Sequence, residues 1–428
     1  MSLTALPSEL IFEIADLISR TAPRDIEDFG RSCRRVRGAT IPLIKEHRRL
    51  LRQYTKLSVN NAEAAKFLYE VAKRPWVAFY PHTVEVSANR NWRTFEKTGL
   101  RKQINLVEDV KRKRATVDDE DLETVVLRTG FIPTQDVHVW MRAIDNGDED
   151  YLFALLLASL PNLNRFTIRL DTNKMEQVKD MLRAIRMEWS RRPAWSNLKT
   201  VDVINREGAS ECDLEAFPLF AAIPGLQDLR GSNLMGMYRT CYRDGWLSYP
   251  GASSSITKVS LEACGMSVEG LETLMKSLHH LKHFRYVAHR AGWGAHNVSS
   301  FLKTAHDTLE TLELSTGAGS SRYVGSLRAF TALQHVHLDT DMLVKNGKMQ
   351  RFVDLMPASI ATCTIAGNNL TKPMTDLFLA ELFRPSFHYP NLKSIFAEDS
   401  WGKRNIGHER LKFQKEFHKQ TTWMQRYR

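Results

Sequence analysis

The sequence predicts an α/β protein in which a short N-terminal helical module precedes a solenoid of irregular strand–loop–helix repeats. Two observations predict this fold class. Apolar residues recur at helical spacing within the first fifty residues, and an apolar-x-x-apolar-x-apolar strand pattern recurs along most of the remaining chain. Because one strand–helix unit cannot bury its own apolar face, such units stack, and we expect a horseshoe with parallel strands on its concave face.

The composition is that of an ordinary globular protein, with 43% hydrophobic and 25% charged residues in a chain of 428. It excludes a collagen-like or wholly disordered chain. The longest nearly continuous apolar run, 151–160, is too short to cross a bilayer, so we expect no membrane segment, and the N-terminus shows no secretory signal. Five scattered cysteines without a CxxC pair indicate neither disulfides nor a zinc site, which favours a reducing compartment, cytoplasmic or nuclear or both.

The net charge of +11 is concentrated towards the two ends of the chain. Residues 1–55 hold 10 basic and 7 acidic side chains, and residues 401–428 hold 8 basic and 2 acidic ones, so the middle of the chain is close to balance. A nucleic-acid groove through the body would need a basic surplus there. The distribution therefore argues against nucleic acid as the main partner. A nucleic-acid-associated factor that uses its basic ends is an alternative.

Three short helices are predicted in the first fifty residues. The first runs from Pro7 to a stop at residues 21–23, and its apolar stripe consists of Leu6, Leu10, Ile11, Ile14, Leu17 and Ile18. A second short segment places Ile26, Phe29 and Cys33 on one face. A third helical segment is expected from Ile41 to Leu51. So small a core needs to dock on something else to be stable.

Two motifs of this segment resemble the F-box family. The opening Leu6-Pro7-Ser8-Glu9-Leu10 is followed four residues later by Ile14, as in an F-box, and Phe29-Gly30-Arg31-Ser32-Cys33-Arg34-Arg35-Val36 resembles the second signature of the family, with Val36 where Trp or Phe is usual. The resemblance covers residues 4–50. It implies a helical module that binds the linker subunit of SCF ubiquitin ligases and, through it, cullin. The residues implied in linker binding are Leu6, Pro7, Leu10, Ile11, Ile14, Leu17, Phe29 and Cys33.

The strand pattern recurs from residue 163 to residue 397 at intervals of 24 to 35 residues, which is typical of leucine-rich repeats. Residues 122–127 are interpreted as an earlier copy, Val84 and Val86 as an incomplete first copy, and the copy beginning at Leu226 as spoiled by Gly231. The segments between the strands carry helical apolar spacing, as in 271–278 and 298–305. Cys264 and Asn368 follow two of the strands where the repeat consensus has a residue that bonds neighbouring loop backbone, so both are interpreted as structural. An isolated N-terminal F-box before irregular repeats is similar to many fungal proteins.

In a strand, the residues between the buried positions face outward. Outward positions of three adjacent repeats carry both charge signs, which favours a protein partner over a polyanion. The predicted substrate-binding residues there are His283, Arg285, Glu313, His335, His337 and Asp339.

No pattern of catalytic, cofactor-binding or metal-binding residues is found. Gly317-Ala318-Gly319 lacks the remaining residues of a nucleotide-binding loop, and the histidines at 279, 280 and 283 lack cysteine or carboxylate partners at ligand spacing. The predicted domains are an F-box (1–50), a connector with an irregular first repeat (51–121), a leucine-rich-repeat solenoid (122–400) and a basic cap or tail (401–428). The expected function is a non-catalytic substrate receptor of an SCF-type ligase. The alternative in the same fold is an interaction scaffold with a degenerate or non-ligase F-box.

Overall fold

The chain divides into two compact units, Met1–Leu226 and Gln227–Arg428, a division that falls inside the segment predicted as one solenoid. The structure is a computed structural model, and the residues it describes are 6–87, 101–170, 176–187, 197–205, 219–221, 223, 225–236, 254–266, 268–288, 298–315, 323–345, 347–366 and 389–398. The predicted cap at 401–428, Asn368 and the glycine-rich loop 317–319 lie outside these residues.

Unit 1 begins with three helices: α1 (Ser8–Thr21), α2 (Ile26–Arg31) and α3 (Arg34–Tyr54). The three predicted helices are confirmed, but α3 begins at Arg34 rather than at Ile41. The earlier start has a local cause, because the Cys33 sulfur accepts a hydrogen bond from the backbone N–H of Val36 and so caps the helix. Gly30 allows α2 to lie close to α3: a Cβ atom at this position would be 2.6 Å from Ile44 Cδ1.

A four-stranded parallel sheet follows in unit 1, in the order β1 (Lys56–Asn60), β2 (Thr83–Ser87), β3 (Arg165–Leu170) and β4 (Thr200–Asn205). Strands β2, β3 and β4 were expected, whereas β1 was not. In register, Val59, Val86, Ile168 and Val203 form one apolar ladder. All four are buried, so the sheet has an inward apolar face and an outward polar face.

Helices make up most of the rest of unit 1: α4 (Asn61–Lys73), α5 (Arg101–Arg114), α6 (Asp119–Arg128), α7 (Val137–Asn146), α8 (Glu149–Ser159) and α9 (Glu176–Met187). Helix α6 corrects the strand that was expected at 122–127. Three acidic residues occupy its first turn, where they favour the helix dipole. The apolar run 151–160 forms the buried helix α8, and none of the helices in the described ranges is both long and apolar enough to span a bilayer.

In the described part of unit 2, parallel strands follow one another in the order β5 (Asp228–Ser232), β7 (Lys258–Met266), β8 (His283–Ala288), β9 (Thr311–Ser315), β10 (His335–Asp339), β13 (Thr362–Ala366) and β14 (Ser394–Glu398). The expected strands are confirmed, and Gly231 does not interrupt β5, since it lies in register with Leu261. The short strand β6 (Met235–Gly236) pairs with β7, and β11 (Val344–Lys345) pairs with β12 (Lys348–Met349). Short helices lie between strands: α10 (Val268–Lys276), α11 (Val298–Phe301) and α12 (Phe352–Leu355).

The same backbone hydrogen bond recurs where successive strands of unit 2 begin. The first N–H of each strand donates to the carbonyl of the residue just before the preceding strand, as in His283 N to Thr257 O (2.9 Å) and Thr311 N to Lys282 O (2.9 Å). The bond fixes the start of each strand relative to its neighbour. Outward side chains of successive strands are therefore aligned in rows.

Candidate interaction surfaces

Helix α1 presents an apolar row to solvent beside its buried face. We call Leu10, Ile14 and Leu17 the α1 stripe. Leu10 is 45% exposed and Leu17 is 61% exposed, whereas Ile14 is half-buried. The buried face contains Ile11, which is 0% exposed. Spacing of three and four residues thus generates two apolar rows on one helix, one that packs against the neighbouring helices and one that is open to a partner.

The other residues implied in linker binding lie in different environments. Pro7 is exposed at the start of α1, where its carbonyl accepts a hydrogen bond from Ile11 N at 3.1 Å, and Leu6 and Phe29 are half-buried. Ile11 is a correction to the predicted set, because a fully buried side chain supports the helix packing instead of meeting a partner. Cys33 is half-buried and caps α3.

Two exposed apolar side chains of the module were missed by the sequence reasoning. Phe12 is 43% exposed and Ile41 is 44% exposed. Neither belongs to the α1 stripe: Phe12 follows the buried Ile11, and Ile41 lies on α3. The sequence offers a weak signal for Phe12, which falls outside both periodic rows of α1.

Polar contacts fix the helical module on the rest of unit 1. Arg24 Nη2 lies 3.1 Å from each nitrogen of the His82 ring, and His47 Nδ1 lies 3.0 Å from the Tyr80 hydroxyl. The Arg20 guanidinium lies over the Trp76 ring, 5.3 Å from its centroid. Burial lowers the pKa of His47 and raises that of Tyr80 to about 12. Two kinds of contact therefore hold the module. His47 and Tyr80 are neutral at pH 7, and the arginines Arg20 and Arg24 contact the rings of Trp76 and His82.

The predicted substrate residues are brought together in rows on the outward face of the unit 2 sheet. One row contains His283, Thr311, His335 and Thr362, and the next contains Arg285, Glu313, His337 and Thr364. We call these the unit 2 polar rows. Arg285 and His335 are exposed, and His283, Glu313, His337 and Asp339 are half-buried.

Charges within the unit 2 polar rows compensate one another. Arg285 lies between two carboxylates, 3.5 Å from Glu262 and 3.4 Å from Glu313. Just beyond the two rows, Asp339 accepts a hydrogen bond from the Ser315 hydroxyl at 3.0 Å. A surface of this kind offers donors and acceptors in a fixed pattern without a strong field of one sign. It suits directional recognition of a polypeptide better than capture of a polyanion.

The unit 1 sheet has a similar outward face, which was not among the predicted sites. Arg165 Nη2 lies 2.7 Å from Asp202, and Arg169 Nε lies 2.6 Å from Glu85. These pairs join neighbouring strands, so they reinforce the register of the sheet.

The described residues do not assemble a metal site, since they contain no group of three or more His, Cys, Asp or Glu side chains in ligand geometry. His279 and His280 are exposed in the turn before β8. Cys264 is fully buried and its sulfur lies 3.3 Å from the carbonyl oxygen of Glu262, which confirms its structural interpretation. Burial raises the pKa of the Cys363 thiol to about 12, which keeps this group protonated and unreactive.

Comparisons with known proteins give no family for this chain. No family model matches the sequence, and no curated protein matches it significantly.

Proposed function

We propose that this chain is the substrate-recognition subunit of an SCF-type ubiquitin ligase, in the cytoplasm or nucleus. The N-terminal helices act as an F-box that docks on the linker subunit and, through it, on cullin. The strand–loop–helix units act as leucine-rich repeats that bind a target protein. The chain carries no chemistry of its own in this proposal. It raises the effective concentration of the target beside the ubiquitin-conjugating enzyme, so that transfer becomes effectively intramolecular.

The observation that carries the proposal is the α1 stripe, which leaves two leucines exposed beside the buried Ile11 and Ala15 of the same helix. Leu10 and Leu17 are 45% and 61% exposed, respectively. Burying a whole leucine side chain stabilises by about 1.5–3 kcal/mol, so covering the exposed halves is worth about 1 kcal/mol for each residue. Together the two leucines would contribute about 2 kcal/mol to docking, the size of an interface hot spot.

The unit 2 polar rows support the second half of the proposal. Their side chains are held by strands in register and by cross-strand contacts, as in the 2.7 Å contact between His335 Nδ1 and Thr362 Oγ1. A rigid array of donors and acceptors loses little freedom on binding, which favours specific recognition.

Affinity purification of the tagged full-length chain from cells tests the proposal. The linker subunit and cullin should co-purify with the unchanged chain and not with a Leu6→Ala, Pro7→Ala double variant. The variant should stay folded and melt within a few degrees of the unchanged chain, because Pro7 is exposed and Leu6 only half-buried. Equal recovery of the linker subunit by both chains, or its absence from the unchanged chain, contradicts the F-box assignment.

The target-binding half is tested with Arg285→Glu and Glu313→Lys together, a swap that keeps this charge pair with its signs reversed. The captured targets should change while the linker subunit is retained. An identical set of targets removes the unit 2 polar rows as the recognition surface. Linker binding without any ubiquitinated target favours the scaffold alternative.

A further inference from the structure

Helix α3 carries a row of cations along its exposed side that the proposed function does not use. The helix contains seven basic residues and one acidic residue. Six of the basic ones follow the three- and four-residue spacing of a single face and are exposed; they are Arg34, Arg37, Lys45, Arg48, Arg49 and Arg52, which we call the α3 basic face. At 1.5 Å per residue, this face extends for about 27 Å.

Carboxylates of the described residues neutralise only part of the α3 basic face. Arg48 donates to both oxygens of Glu27 at 2.7 and 3.1 Å, and Arg49 donates to both oxygens of Glu46 at 2.7 and 2.6 Å. The other four side chains have neither an ion-pair nor a hydrogen-bond partner within the described part of the chain. The two occupied arginines show the two-point carboxylate contact that a guanidinium favours.

Two residues in the middle of this face make the backbone accessible. Gly38 is exposed, and a Cβ atom at this position would meet nothing within 4 Å. Packing therefore does not explain a glycine here, although glycine in a helix interior is destabilising relative to alanine. Pro42 lies inside the same helix and has no N–H to donate to the Gly38 carbonyl four residues earlier. The backbone at Gly38 is therefore not covered by a side chain, and its carbonyl lacks the usual helical N–H donor. Both lie among the cationic side chains of the α3 basic face.

We propose that the α3 basic face binds an extended acidic segment of a protein partner, about eight residues long at about 3.3 Å per residue. Carboxylates of the segment contact Arg34, Arg37, Lys45 and Arg52. A backbone N–H of the segment donates to the Gly38 carbonyl, and one apolar side chain covers Ile41, which is 44% exposed.

The accessible acceptor and Ile41 favour a polypeptide over nucleic acid. A phosphodiester backbone has acceptors only, so it has nothing to donate to the Gly38 carbonyl. An apolar side chain also contributes little to phosphate binding, whereas it is a natural contact for a residue in an acidic peptide. This inference goes beyond the proposed function and does not depend on docking through the α1 stripe.

Fluorescence anisotropy with the full-length chain tests the inference, and the probe is a fluorescein-labelled ten-residue peptide of glutamate with one central leucine. Alanine replaces four side chains in the test variant: Arg34, Arg37, Lys45 and Arg52. A matched control replaces three exposed arginines and one exposed lysine elsewhere: Arg128, Arg142, Arg328 and Lys303. The test variant should bind the peptide about tenfold or more weakly, and the control within about twofold of the unchanged chain.

A second pair of variants tests the bare backbone. Gly38→Trp should weaken peptide binding by about tenfold, because the indole would keep the peptide backbone away from the carbonyl of residue 38. Gly38→Ala should leave the affinity nearly unchanged. Equal losses in the test and control variants, undiminished binding by Gly38→Trp, or no peptide binding at all overturns the inference. The inference is also overturned if the unchanged chain binds a duplex DNA more tightly than the peptide and the four-alanine variant loses that binding, since nucleic acid would then be the ligand.

Discussion

Ile11 lies on the buried face of α1 and Leu17 on its exposed apolar row, and truncating each to alanine should have different effects on the helical module. Ile11 is 0% exposed, so Ile11→Ala leaves a cavity among three helices, at a cost of about 2–5 kcal/mol. Leu17 is 61% exposed, so only about two fifths of its transfer free energy is at stake, about 0.6–1.2 kcal/mol. The better helix propensity of alanine offsets a small part of that cost.

Amide hydrogen exchange of peptides from α1 and α3, read by mass spectrometry, measures this difference because it reports local opening of the module. Ile11→Ala should lower protection by at least about 30-fold, and Leu17→Ala by less than about tenfold. Ile11→Val is the matched control and should cost about 0.5–1.5 kcal/mol. Equal losses for the two alanine variants would refute the assignment of one buried and one open face.

Four further outcomes follow from burial and helix geometry. Burial raises the pKa of Asp150 from 3.8 to about 6. The stability that its protonated carboxyl contributes is therefore lost as pH rises from about 4 through 6, and Asp150→Asn should flatten that part of a pH–stability profile. Burial lowers the pKa of His47 below its ordinary 6.5, so the protection factors of the module, which correct for the intrinsic exchange rate at each pH, should fall as pH falls through 6.5 and below, and should fall less in His47→Gln. Gly38→Ala should stabilise the chain against urea by about 0.8–1 kcal/mol. Iodoacetamide should modify half-buried Cys33 before buried Cys363 in the native protein, and both in denaturant.

The strands were predictable because each repeats the same apolar spacing in its own few residues. Two of the strand errors, at β1 and at 122–127, have local causes. Tyr54, Leu57 and Val59 carry the strand spacing, but Tyr54 also ends α3, so β1 was hidden by the helix before it. The residues at 122–127 carry that spacing too, but acidic residues just before them favour a helix start.

For the candidate surfaces, sequence periodicity predicts the face on which a residue lies but not which residues become its neighbours. Strand alternation places Arg285 and Glu313 on the outward face, but only the register places them side by side. Helical spacing marks Ile11 and Leu17 equally as apolar, and only the position of α3 decides which one is buried. The pairing of Arg48 with Glu27 joins two helices, so no local pattern predicts which cations of α3 lack a partner.

Isothermal titration calorimetry of the purified linker subunit of SCF ligases with the full-length chain tests docking through the α1 stripe. We expect binding that Leu10→Ala with Leu17→Ala weakens by about 30-fold, since about 2 kcal/mol of apolar contact is removed. Phe12→Ala is the matched control, because Phe12 is 43% exposed on the same helix but outside the α1 stripe, and it should leave the affinity within about threefold. No binding by the unchanged chain, or equal losses in the stripe and control variants, would contradict docking through the α1 stripe.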